Sequence, residues 1–167
     1  MENDLDMVVI FGGTNDFGHS STEDFGDFTD GTDTSKITFY AGLHRLFSGL
    51  YKKYLGKPIV VVTPIHHGYE IDTHEYVVQE NGNIVVGKNS HTNKSMREYV
   101  EAIKEVAQYY SLLVLDAYSY SQMSPMMESS TNRHYFSDGL HLNDVGGEKF
   151  AKWLYPQLEQ IYDMFYL

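Results

Sequence analysis

Met7-Val-Val-Ile-Phe-Gly-Gly-Thr-Asn-Asp16 is the stretch that decides the fold. Its first five residues are apolar and three of them are β-branched, the pattern of a strand buried on both faces of a parallel sheet. Gly12 and Gly13 end the run sharply, so Asn15 is delivered just past the strand's carboxyl end. Ile59–Thr63, closed by Pro64, and Leu112–Leu115 repeat the buried-strand pattern. Helical spacing lies between these runs. Leu43, Leu46, Phe47, Leu50 and Tyr54 recur at three and four residues until Gly56 and Pro58 stop them. Met96, Tyr99, Val100, Ile103, Val106 and Ala107 share one face of a helix running from about Lys94 to Tyr110. A last helix begins at Asp144 with Asn143 as its N-cap, and Pro156 inside it predicts a kink or a break. Strand and helix alternate three times, which predicts one α/β domain over residues 1–167 with a parallel sheet flanked by helices. In such sheets ligands bind beyond the carboxyl ends of the strands.

Two segments interrupt the alternation. Thr14 to Ser35 is polar and carries six acidic residues between Asp16 and Asp33, so a long loop is expected there, either a solvated acidic surface or a cation site. Tyr76-Val-Val-Gln and Ile84-Val-Val flank Glu80-Asn-Gly-Asn, and Asn-Gly between such runs predicts a β-hairpin, part of an insert near residues 69–87.

Composition narrows the partners. The 167 residues suffice for one core of good size. Twelve Lys and Arg against 23 Asp and Glu leave a net charge of −11, so the chain repels phosphate backbones and nucleic acid is not an expected partner. Cysteine is absent, which removes disulfides, thiolate metal sites and cysteine nucleophiles. No run is apolar for long enough to span a bilayer, and the acidic start is unlike a signal peptide. Read literally from Met1, the chain is expected in the cytoplasm.

Asp138-Gly-Leu-His-Leu-Asn143 is the second informative stretch. It puts a carboxylate three residues before an imidazole and follows the third strand, so it belongs to the same rim as Asn15. Ester hydrolysis needs a nucleophile, a base and donors for the oxyanion. His141 suits the base, because imidazole titrates near working pH. Asp138 suits the group that fixes its tautomer. Asn15 offers an amide donor, and one such donor is commonly worth about 3 kcal/mol of barrier. Taken singly, each stretch also reads as ordinary turn and helix-entry chemistry.

In matching order and on matching elements, the two stretches resemble the last two catalytic blocks of the SGNH (GDSL-like) hydrolases, a family of lipases, esterases and acylhydrolases. The resemblance runs from the first strand to the last helix and is strongest in Gly12–Asp16, Val60-Val-Val-Thr-Pro-Ile65 and Asp138–Asn143. It implies a flavodoxin-like three-layer α/β/α fold. It further implies that Asn15 is the oxyanion asparagine, Asp138 the orienting acid and His141 the base, with Gly13 shaping the turn that presents Asn15. Thr14, Asp16, His66 and His67 are then candidate substrate-binding residues around a small-molecule ester, with no cofactor and no metal. The family's Gly-Asp-Ser nucleophile block occurs nowhere in the sequence, nor do the strands that accompany it. Ser20 and Ser21 follow Asn15, but no Gly-x-Ser-x-Gly elbow marks either as activated. The expectation is therefore that Met1 is a late start or a boundary, and that the serine comes from outside this chain. Without its family neighbour, the Met7–Phe11 strand would present a bare apolar edge, which predicts a homodimer covering it or a longer natural protein.

Two other readings stay open on the sequence. One is a His/Asp metal-dependent hydrolase built from His66, His67, His74, His91, His134 and His141, although no His-x-x-x-His or His-Glu-x-x-His encodes the ligand geometry locally. The other is a catalytically inactive ligand-binding or interaction protein on the hydrolase scaffold. The 14 tyrosines suit a binding cleft, a core or a protein interface equally.

Overall fold

The computed structural model describes residues 5–19, 24–66, 68, 75–127 and 134–167. Three strands, β1 (Val8–Phe11), β2 (Ile59–Val62) and β5 (Leu113–Leu115), pair in parallel in the order β1-β2-β5. Val8 stands opposite Ile59, and Val60 opposite Leu113. A separate antiparallel hairpin, β3 (Tyr76–Val78) and β4 (Ile84–Val86), confirms the Asn-Gly turn between its strands.

The side-chain period of two in β2 sorts the core into two layers. Ile59 and Val61 pack into a cluster with α2 (Phe39–Lys53) and α3 (Met96–Tyr109), whereas Val60 and Val62 pack on the opposite face with the short α4 (Ala117–Tyr120) and with α5 (Asp144–Tyr166). Helices on both faces of a parallel sheet make the expected α/β/α layering. All four β2 residues are buried, and each such side chain stabilises the fold by roughly 1.5–3 kcal/mol. Of the helix caps, Asn143 is the one expected from the sequence. Thr38 accepts from the Ala41 N–H at the head of α2, Ser95 and Glu98 form a reciprocal capping box on α3, and Asn143 accepts from the Gly146 N–H on α5.

Three expectations need correction. β1 is not buried on both faces: Val9 is 42% and Phe11 50% exposed. As the edge strand, it pairs with β2 alone among the described residues, and Phe11 is covered chiefly where it stacks on Phe150 at 5.3 Å. The segment from Thr14 is not a loop throughout. It opens with α1 (Thr14–His19) and contains a 3₁₀ turn, Phe28–Thr32, whose acidic residues are structural. Asp27 caps that turn and Asp30, which is buried, accepts from the Thr38 hydroxyl at 2.8 Å. Finally, of the kink or break expected at Pro156 the break is absent, since α5 runs through that residue as one helix. The carbonyl that proline leaves unpaired belongs to Lys152, an exposed residue whose carbonyl water can satisfy.

Candidate active site

β1 ends at Phe11 and the chain turns at Gly13 into α1. Gly13 has φ +106°, and a Cβ there would lie 2.7 Å from Ile103 Cδ1 and 3.2 Å from Pro64 Cγ. Only glycine meets both demands, and its absent side chain lets the β1 exit lie directly on the β2 exit. Phe17 fixes α1 from below, buried edge-on to Tyr99 at 5.8 Å. The buried Asn89 amide donates to the Phe17 carbonyl at 2.7 Å and so holds the end of the same turn. Asn15 is exposed on this short helix. Phe11, Gly12, Gly13, Thr14, Asn15 and Asp16 line one hollow of about 280 Å³, so four of the sequence-predicted residues share a surface.

Asp138 and His141 meet. His141 Nδ1 lies 2.7 Å from Asp138 Oδ2, while Asp138 Oδ1 accepts from the backbone N–H groups of Leu140 and His141 at 2.9 and 2.7 Å. Partial burial would raise the Asp138 carboxyl. The bonds from the His141 ring, the His141 N–H and the Leu140 N–H outweigh that and hold it down to about 2. The turn is closed at its base by a bridge between Phe136 and Leu142, and Ser137 donates its N–H to the His141 carbonyl at 2.8 Å. Below it, Asn143 donates from Nδ2 to the His134 carbonyl and caps α5 with Oδ1. The Tyr135 carbonyl oxygen lies 2.0 Å from where a Cβ on Gly146 would stand, so this approach also demands glycine. The pair is open to solvent, with the His141 side chain 71% and the Asp138 side chain 51% exposed.

The segment after β2 touches both blocks. Pro64 underlies Gly13, and the Gly68 N–H donates to the Gly139 carbonyl at 2.8 Å. Asn15 and the Asp138–His141 pair thus flank one short stretch of chain at the carboxyl rim of the sheet. Among the described residues no hydrogen bond joins Asn15 to the pair.

His66 lies between them in that stretch and is held by partners the sequence did not reveal. Its Nδ1 is 2.9 and 3.0 Å from the two carboxylate oxygens of Glu75, which also accepts from the Tyr118 hydroxyl. Glu75 immediately precedes β3 and Tyr118 sits three residues past β5, so no local spacing signals the pair. His67, like Ser20, Ser21 and His74, lies outside the described residues. The histidines of the metal reading have separate neighbours: His91 is 3.6 Å from Asp24, and His134 packs on Tyr135. Among the described residues, no three His, Asp or Glu side chains gather as a metal-ligand set.

Comparison with known proteins bears on the family and the fold. The model of the GDSL-like Lipase/Acylhydrolase family matches residues 2–154. The comparison with curated proteins finds no match. Among solved structures, a Lactobacillus plantarum protein superposes with a TM-score of 0.75 at 24% identity, over 100% of this chain and 71% of the other. A protein described as a possible lipase from Chitinophaga pinensis gives 0.68 at 18% identity, over 93% and 73%. The lipase/acylhydrolase from Enterococcus faecalis gives 0.54 at 19%, over 93% and 62%. At these identities the structural likeness establishes the fold, which is α/β with a parallel sheet.

Proposed function

Because the chain belongs to the GDSL-like lipase/acylhydrolase family, a family of ester hydrolases, we propose that it handles carboxylic esters with His141 as base, Asp138 as its orienting acid and Asn15 as oxyanion donor. The observation that carries this reading is the 2.7 Å contact between His141 Nδ1 and Asp138 Oδ2 at the sheet's carboxyl rim. A carboxylate on Nδ1 keeps the proton there and leaves Nε2 as the basic atom. Nε2 takes the proton of an attacking hydroxyl as its oxygen adds to the ester carbonyl. The imidazolium, stabilised by Asp138, then returns that proton to the departing alkoxide. The Asn15 amide stabilises the negative charge on the tetrahedral intermediate. Gly13, Thr14, Asp16, His66 and His67 surround the ester in this reading.

The attacking hydroxyl is the open component. The family's serine block is not in these 167 residues, so the reading assigns the serine to a source outside this chain, with water as the slow substitute. Loss of a triad serine typically costs about 10⁶ in turnover, so only residual hydrolysis is expected of the chain alone. A net charge of −11 favours neutral over anionic esters. The chain is read as one domain, and a homodimer covering the β1 edge belongs to the same proposal.

Hydrolysis of p-nitrophenyl acetate by the chain and by His141→Ala tests the reading. With water as the nucleophile His141 still serves as its base, so the variant is expected to fall measurably, by up to about 10²-fold, the lower scale of a general base. Equal rates would favour the second reading, a ligand-binding protein on the same scaffold. The exposure of His141 and the absence of Gly-Asp-Ser are the observations that support that alternative.

A further inference from the structure

We propose that His66, clamped by Glu75 and Tyr118, binds a free hydroxyl on the alcohol side of the ester, with Glu75 and Tyr118 as the positioning residues that aim it. This rests on the ester-hydrolase reading of His141.

Glu75 is 1% exposed, and a buried carboxylate costs several kcal/mol unless hydrogen bonds compensate it. Here they do. Nδ1 of His66 meets both oxygens, at 2.9 and 3.0 Å, and the Tyr118 hydroxyl donates to Oε1. Burial and then the Glu75 charge push the Tyr118 hydroxyl upward, so it stays protonated and remains a donor. The Tyr118 ring also lies against the imidazole, with centroids 4.0 Å apart. Two partners therefore fix the ring's plane and the position of its proton. Packing alone does not require such an arrangement, since an apolar side chain fills the same space without the cost of a buried charge.

The fixed ring leaves one atom unused. Among the described residues Nε2 of His66 has no hydrogen-bond partner, and the side chain keeps 21% of its surface open. Its location suits a substrate contact. His66 is four residues past the end of β2 and two before Gly68, which bonds the turn carrying Asp138 and His141. Glu75 is anchored in turn by the hairpin, because its carbonyl accepts from the Gly87 N–H at 2.8 Å. The hairpin insert thereby acts on the rim through His66.

The ligand class follows from the donor chemistry. With Nδ1–H given to Glu75, neutral His66 presents Nε2 as an acceptor, and the charged ring presents it as a donor. A hydroxyl satisfies both forms, whereas a bare ester oxygen satisfies only the second. An anionic group would meet the buried Glu75 charge and the chain's net charge of −11, which disfavours it. The fitting ester is one whose alcohol part is a polyol or sugar.

Nitrogen-15 NMR of the histidines in the full chain provides the test, with glycerol monoacetate and ethyl acetate as probes. The free chain is expected to show His66 in the Nδ1–H form, and glycerol monoacetate to shift its Nε2 while ethyl acetate does not. Both esters are expected to shift His141. His66→Phe, which keeps a ring against Tyr118, is expected to weaken glycerol monoacetate binding about fivefold more than it weakens ethyl acetate binding, the scale of one hydrogen bond. His66→Gln is expected to restore part of the difference. Glu75→Gln keeps an acceptor and the Nδ1–H form, whereas Glu75→Leu is expected to release the other tautomer and abolish the preference. Equal shifts at His66 with both esters, or unchanged binding in a folded His66→Phe, would overturn the proposal while a responding His141 left the hydrolase reading intact. A silent His141 would overturn the hydrolase reading itself, and with it the assignment of His66 to substrate. The wild-type shifts decide the matter even where a variant fails to fold.

Discussion

Gly68 donates its backbone N–H to the carbonyl oxygen of Gly139 at 2.8 Å, and this bond ties the exit of β2 to the turn that carries Asp138 and His141. The same exit segment supports Gly13 through Pro64. One stretch of six residues, 63–68, thus positions two blocks that are more than a hundred residues apart in the chain.

The Asp138–His141 pair gives a pH dependence with a definite sign. The Asp138 carboxyl lies at about 2 in the folded protein, below its ordinary 3.8. A carboxyl lowered by folding contributes stability above its unfolded value and loses that contribution as pH falls through the folded one. The stability difference between wild type and Asp138→Asn is therefore expected to be constant above about pH 5 and to be lost as pH falls through about 2. Chemical denaturation across that range checks it. Because Asp138 is half exposed, the difference should be small.

Gly146 is expected to tolerate no side chain. A Cβ there would sit 2.0 Å from the Tyr135 carbonyl oxygen, and backbone cannot swing aside as a side chain can. Gly146→Ala should destabilise the protein by about 1–3 kcal/mol, the usual scale of overpacking. It should also disturb His141, because Asn143 links the start of α5 to the same turn. Urea denaturation and the His141 NMR signals report the two effects separately.

The edge of β1, unpaired on one side among the described residues, predicts self-association. Val8 gives its N–H to the Pro58 carbonyl in the direction of β2, so the N–H groups of Val9 and Phe11, one residue out of phase, face away from it. Both residues are also substantially exposed. A lysine on such an edge opposes pairing. Sedimentation should show concentration-dependent dimers in wild type that Val9→Lys reduces, and a monomer at all concentrations would contradict the expectation.

Local signals carried much of this structure. The strand β2, the cap Asn143, the Asn-Gly hairpin and the Asp138–His141 contact all follow from residues close in sequence, where spacing dictates geometry. What was hidden depends on distant partners. The missing family neighbour does predict an edge position for β1, but the exposure of Val9 and Phe11 goes against the two-face burial that the run's own apolar residues suggest. The acidic residues after Thr14 looked like a loop because Asp27 and Asp30 are capping groups whose role needs Thr38 in place. Glu75 and Tyr118 were invisible as a unit because 43 positions separate them and only the fold brings both to His66. Asn89, holding Phe17 across 72 positions, was missed for the same reason.

A double-mutant cycle on p-nitrophenyl acetate hydrolysis, comparing wild type, Asn15→Ala, His141→Ala and the double variant at neutral pH, tests most directly whether Asn15 and His141 serve one reaction centre. Groups that serve one transition state couple, so the double variant should be slowed by clearly less than the product of the two single losses. Full additivity of the two losses, or rates that neither substitution changes, would contradict the account.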